Sequence, residues 1–127
     1  MTKNLSTKEQ GDAAEDQALR YLEAQGLRLL VRNYRTPGRG GGEIDLIMQA
    51  PEPSGKEPTT VFVEVRQRSS ASHGGAAASI SRTKQQRIIL AARYYLMRLS
   101  ALPPCRFDVV VIEPSGVQWL KAAFAAF

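Results

Sequence analysis

The 127-residue chain has one cysteine, one histidine and one tryptophan, and no acidic residue from Val65 to Phe107. A lone Cys105 closes no internal disulfide, and with His73 as the only imidazole the chain has too few soft ligands for a zinc site. No segment approaches the ~20 consecutive apolar residues that cross a bilayer. The N-terminus, Met1-Thr2-Lys3-Asn4-Leu5-Ser6, lacks the apolar core of a secretion signal. No Gly-Lys-Ser/Thr follows Gly38, Gly40, Gly41 and Gly42, and Gly55-Lys56 also fails the phosphate-loop pattern, so these glycines read as turn residues. The expectation is a soluble cytoplasmic protein with no membrane partner.

What is present is an ordinary globular composition. A hydrophobic share of 43% is enough to build a core, and the length suits a single domain spanning residues 1–127. The net charge of +5 is unevenly placed, because the acid-free stretch carries Arg66, Arg68, Arg82, Lys84, Arg87, Arg93, Arg98 and Arg106. Segregated positive charge favours a polyanion bound through its phosphates, such as nucleic acid, and DNA is the expected partner. A solvated basic face with no specific partner is the plainer alternative.

Ser6-Thr7-Lys8-Glu9 has the spacing of a capping box and predicts a helix from there to about Gln25, closed by Gly26. At about 100° per residue, Gly11, Ala14, Glu15, Ala18 and Leu22 share one face, so Glu15 lies among small, inward residues. Strands are predicted over Leu27–Tyr34, Glu43–Met48, Val61–Arg68, Arg106–Ile112 and Val117–Leu120, and a second helix over about Ser81–Ser100. That helix has the inward stripe Lys84, Ile88, Ala91, Tyr95 and Leu99. The order α-β-β-β-α-β-β predicts an α/β fold, a central mixed sheet flanked by helices.

Two of these strands carry acids where core residues belong. Alternation puts Glu43, Asp45 and Ile47 on one face of the second strand, and Phe62, Glu64, Arg66 and Arg68 on one face of the third. Isolated carboxylates inside a sheet are costly to desolvate, so acids on neighbouring strands point to a shared ligand. A hard dication such as Mg²⁺ or Mn²⁺ prefers oxygen donors and serves phosphoryl chemistry. Glu43 is expected to support the adjoining loop, and Asp108 to pair with a basic side chain. Tyr94, Tyr95 and Trp119 are expected to pack, and His73 to sit in an exposed loop.

These residues resemble the PD-(D/E)XK nuclease superfamily, where an Asp and a following Glu-x-Lys form the metal site. More closely, the chain resembles the YraN-type family of small nuclease-like bacterial proteins. The resemblance runs through Gly11 and Glu15, Arg32-Asn33-Tyr34, Gly42-Glu43-Ile44-Asp45, Phe62-Val63-Glu64-Val65, Lys84, Arg106-Phe107-Asp108 and Ala126-Phe127. It implies a restriction-endonuclease-like α-β-β-β-α-β core and a Mg²⁺- or Mn²⁺-dependent endonuclease. Asp45 and Glu64 match the metal-binding acids, and Glu15 matches the helix acid that supports them. Arg66 occupies the lysine position. Resolvases of four-way DNA junctions are the characterised relatives that the resemblance brings to mind, and a homodimer would suit such a symmetric substrate.

Arginine neutralises phosphate, but its guanidinium stays protonated at any working pH, which rules it out as a base. Lys84, at the start of the second helix, is the candidate to fill the vacancy. Arg66, Arg68, Arg82, Lys84 and Arg87 form the expected nucleic-acid contact set. Three readings follow: a Mg²⁺-dependent nuclease of branched or structured DNA, a catalytically inactive nucleic-acid-binding module, and an interaction protein. In the last, Asp45 and Glu64 would be structural acids neutralised by Arg66 or Arg68.

Overall fold

The computed structural model describes residues 6–68 and 80–126. His73 and the rest of Ser69–Ala78 lie outside them, as does Phe127. The elements are α1 (Thr7–Ala24), β1 (Arg28–Arg35), β2 (Glu43–Ala50), β3 (Thr59–Gln67), α2 (Arg82–Met97), β4 (Cys105–Glu113) and β5 (Gly116–Phe124). The α/β order matches the expectation. The last strand is longer than its sequence signal, and α2 stops short of Leu99, which is exposed rather than part of the inward stripe.

Local chemistry sets the helix ends. Ser6 Oγ accepts from the Glu9 N–H at 3.1 Å and Glu9 Oε1 accepts from the Ser6 N–H at 3.3 Å, closing the capping box. Gly26, with φ of 97°, takes the left-handed conformation that ends α1. Ser81 Oγ caps α2 by accepting from the Lys84 N–H at 3.1 Å.

The strands form one sheet in sequence order, β1-β2-β3-β4-β5, antiparallel except for the parallel pair β3–β4. A parallel pair needs a crossover, and α2 lies in that connection. Helix α1 buries Ala14, Ala18 and Leu22 against Leu46, Met48, Val61, Val63 and Val110 on one face. Helix α2 buries Ile88, Ala91, Ala92 and Tyr95 against Ile44, Ile47, Phe62 and Phe107 on the other. Phe62 stacks on Phe107 at 5.3 Å between ring centroids and meets Tyr95 edge-on at 6.2 Å. No helix among the described residues is long and apolar enough to cross a membrane.

One expectation about β2 is corrected. Strict alternation would put Ile44 on the same face as Leu46, yet Ile44 packs with α2 and Leu46 with α1. The facing changes at Asp45. On β1 the register pairs Arg32 with Leu46 and Tyr34 with Ile44, so Asn33 stands opposite Asp45. Asn33 has a φ of 55°, a left-handed conformation that asparagine tolerates better than most residues. Gly42 then approaches α2 so closely that a Cβ would collide with the Arg87 carbonyl.

Candidate metal and phosphate site

The pairing of β2 with β3 runs from Ala50↔Thr59 to Leu46↔Val63 and goes no further. Beyond that point the Asp45 side chain replaces the backbone ladder: its Oδ2 accepts from the Val65 N–H at 2.8 Å. The Asp45 carboxyl also contacts that of Glu64. The Asp45 pKa is pushed up to about 8 by burial, and further by the hydrogen bond and charge of Glu64; the Val65 N–H and Lys84 oppose this. Two carboxyl groups in contact hold a proton between them unless a cation takes its place.

Glu64 is 5% exposed, and its Oε2 is buried without a hydrogen-bond partner among the described residues. Lys84 Nζ lies 3.4 Å from that oxygen and 3.9 Å from Glu43 Oε1. Lys84 therefore reaches the acids from the first turn of α2, and it is Lys84, not Arg66, that ion-pairs Glu64. Arg66 is half-buried, in register with Val111 of β4, and has no hydrogen-bond or ion-pair partner among the described residues.

Glu15 approaches from the α1 side. Its carboxyl is held above the ordinary range by burial and the charge of Asp45, against the pull of Arg32. Arg32 Nε donates to Glu15 Oε1 at 3.4 Å, its Nη1 to Asp16 at 2.6 Å, and its Nη2 to the Asp12 carbonyl at 3.2 Å. Glu15, Asn33, Glu43 and Asp45 line a cleft of about 330 Å³ whose rim includes Lys8, Asp12 and Arg35. Among the described residues no three His, Cys, Asp or Glu side chains gather closely enough to hold a metal together. The structure brings Asp45 and Glu64 into contact; it leaves Glu15 engaged by Arg32.

The donor set fits a hard dication in charge and chemistry. Two contacting carboxylates, one with a buried oxygen that no hydrogen bond satisfies among the described residues, are what Mg²⁺ takes when it keeps several waters of its own.

The basic residues divide. Arg66 lies near the end of β3 and Arg68 just beyond it, while Arg82 and Lys84 stand in the first turn of α2. Arg87 Nε donates to the Gly41 carbonyl at 3.3 Å and ties the glycine-rich loop to α2. Arg106 leaves the basic face. Its Nε donates to both oxygens of the fully buried Asp108, at 3.0 and 3.1 Å. Trp119 Nε1 and the Ala122 N–H, each at 2.9 Å, complete that carboxylate, so Asp108 is structural as expected.

Sequence reasoning passed over Arg32 and Asn33 as site residues. Asn33 carried a readable signal, an Asn inside a strand pattern. Arg32 carried none, because its partners lie 16 or more positions away. Glu43, expected to support the loop, pairs with Arg35 at 3.1 Å and also faces Lys84 and the cleft.

Comparison with known proteins places this sequence in a family. A protein of Albidiferax ferrireducens is 70% identical over 121 residues, covering 95% of this chain and 91% of its own length. Relatives from Polaromonas naphthalenivorans and Paracidovorax citrulli are each 58% identical, covering 99% and 95% of this chain and 85% and 86% of their own. All three are called UPF0102 proteins. The model of the uncharacterised protein family UPF0102 matches residues 14–112, which include Glu15, Asp45, Glu64, Arg66 and Lys84. The chain belongs to the UPF0102 family, the YraN-like family its sequence resembles.

Proposed function

We propose that this chain is a Mg²⁺-dependent nuclease of the PD-(D/E)XK type acting on DNA, branched or structured. The observation that carries the reading is the contact of Asp45 with Glu64 where β2 and β3 part, with the Lys84 amine on Glu64. A purely structural pair of buried acids offers little stability compared with apolar packing.

In this reading Asp45 and Glu64 hold the cation. When bound, Mg²⁺ or Mn²⁺ supplies positive charge for the phosphate and a water at neutral pH. Glu15, from the α1 side, orients water at the edge of the site and is itself oriented by Arg32. Lys84, paired with Glu64, presents its ammonium to a scissile phosphate oxygen in this reading. Arg66 adds fixed positive charge and accepts no proton. Arg68, Arg82 and Arg87 extend the contact along the phosphate backbone, and a homodimer would match the symmetry of a four-way junction.

The test is cleavage of end-labelled four-way, flap, single-stranded and duplex DNA, with and without Mg²⁺. Cleavage that needs the ion and disappears in Asp45→Ala is expected; absence of cleavage on every substrate overturns the enzymatic reading. A second reading, an inactive nucleic-acid-binding module, is favoured by one observation: Arg66, not lysine, stands two residues after Glu64 on β3. It predicts salt-sensitive binding that is indifferent to Mg²⁺, with no hydrolysis.

A further inference from the structure

Helix α2 is apolar on two opposite faces. Its inward face is Ile88, Ala91, Ala92 and Tyr95, which the sheet buries. At 100° per residue, Leu90, Tyr94 and Met97 fall on the opposite side, and they are 37%, 44% and 79% exposed. Beside this stripe lies a groove of about 590 Å³, lined by Leu96, Met97, Leu102 and Cys105, with Arg93 at its edge. Leu102 is 74% exposed. A helix that already covers a sheet gains nothing from a second apolar face in water, and a contiguous patch of this kind marks a contact surface.

The surrounding charge selects the partner. At 100° per residue Arg82 and Arg93 flank the stripe on one side and Arg87 and Arg98 on the other, and the stretch 82–98 contains no acid. A second copy laid on this stripe about a two-fold axis would set cations against cations, because a two-fold contact brings the same patch to both sides. A bilayer has no protruding group to enter a recessed groove, and nucleic acid has little use for exposed Leu and Met. A helix that presents large apolar side chains, flanked by Asp and Glu, satisfies both groove and charge.

We propose that the outer face of α2 and its adjoining groove form a docking site for an acidic amphipathic helix of a partner protein. Its apolar residues enter the groove at Met97 and Leu102, and its carboxylates meet the α2 arginines. The site lies on the opposite side of α2 from the sheet; it shares Arg82 and Arg87 with the proposed phosphate contact, whereas Met97 and Leu102 take no part in the proposed nuclease chemistry.

The probe is a fluorescein-labelled, helix-favouring peptide with Leu on one face and Glu on the other. Anisotropy is read against the full chain, Met97→Glu and Leu102→Glu. A peptide of the same composition with its leucines scattered, phosphatidylserine vesicles and a sedimentation series of the chain alone are run in parallel. Saturable binding that weakens at least tenfold in either variant and with the scattered peptide supports the site. Both substituted residues are largely exposed, and thermal denaturation confirms that the variants fold. Equal affinity for the two peptides, or for the variants, overturns the proposal, as does no peptide binding. Vesicle binding lost in Met97→Glu, or a concentration-dependent dimer lost in that variant, assigns the surface to a membrane or to a second copy and overturns it equally.

Discussion

Lys84 Nζ stands 3.4 Å from Glu64 Oε2, an oxygen with no hydrogen-bond partner among the described residues. The two residues come from α2 and β3, and only the crossover between parallel strands sets them together. The contact gives the site an amine at a place where the following strand residue, Arg66, has none to offer.

Removing that amine should be costly. Lys84→Ala is expected to lower Mg²⁺-dependent cleavage by about 100-fold or more, the lower end of what a positioned proton-handling or charge-stabilising group contributes. Single-turnover rates on the best DNA substrate measure it. Full activity in Lys84→Ala would remove Lys84 from the mechanism. The same variant leaves Glu64 without its cation, and an unfolding free energy in urea lower by about 1–3 kcal/mol is expected in chelator.

Arg66→Lys separates the two functional readings. With Lys84 already supplying the ammonium, the variant should cleave within about threefold of the parent, since threefold is well under the 1.4 kcal/mol that a tenfold change represents. Cleavage that appears only in Arg66→Lys would identify a site disabled by a single side chain.

The Asp45 carboxyl, lifted to about 8 inside the fold, sets a pH dependence of stability. Its unfolded value is about 3.9. Between these values the folded chain retains a proton that the unfolded chain has lost, so stability falls as pH rises through the window. Asp45→Asn keeps an oxygen for the Val65 N–H and cannot ionise. It should flatten that slope and raise stability near pH 8 by about 1–3 kcal/mol. Thermal denaturation in chelator across the window reads both, and an unchanged slope would show that Asp45 ionises freely.

Asp108 is fully buried and accepts from Arg106, Trp119 and Ala122. Asp108→Ala strands the Arg106 guanidinium and two N–H donors, a loss of about 3–5 kcal/mol. Trp119 is the only tryptophan, so its fluorescence reports the local change directly during urea unfolding. A loss below about 1 kcal/mol would place Asp108 among ordinary surface carboxylates.

Much of the fold was readable along the chain because its signals are local. Ser6 with Glu9 marked the start of α1, and Gly26 marked its end. Val61, Val63 and Val65 announced a covered strand, and Ile88, Ala91 and Tyr95 announced the sheet-facing side of α2. Leu99 was misplaced because helical periodicity does not say where a helix stops, and α2 ends at Met97. The site was legible as a set of residue types: acids at Asp45 and Glu64 were conspicuous against their apolar neighbours.

Their relation was not legible. Alternation assigned Asp45 to a face, whereas a left-handed Asn33 across the strand pair and the parting of β2 from β3 turn its carboxylate toward Val65 and Glu64. Arg32 became the partner of Glu15 and Asp16, and Arg106 was withdrawn from the basic face by Asp108.

The sequence by itself determined the element order, the two carboxylate-bearing strands and the acid-free basic segment that follows Glu64. These follow from residue type, period and capping, which act within a few positions. Tertiary structure decided which acids touch, which cation neutralises Glu64 and which arginines enter internal ion pairs. Charge interactions depend on distance and burial, and residues 20 positions apart in the chain, such as Asp45 and Val65, acquire both only when the sheet forms.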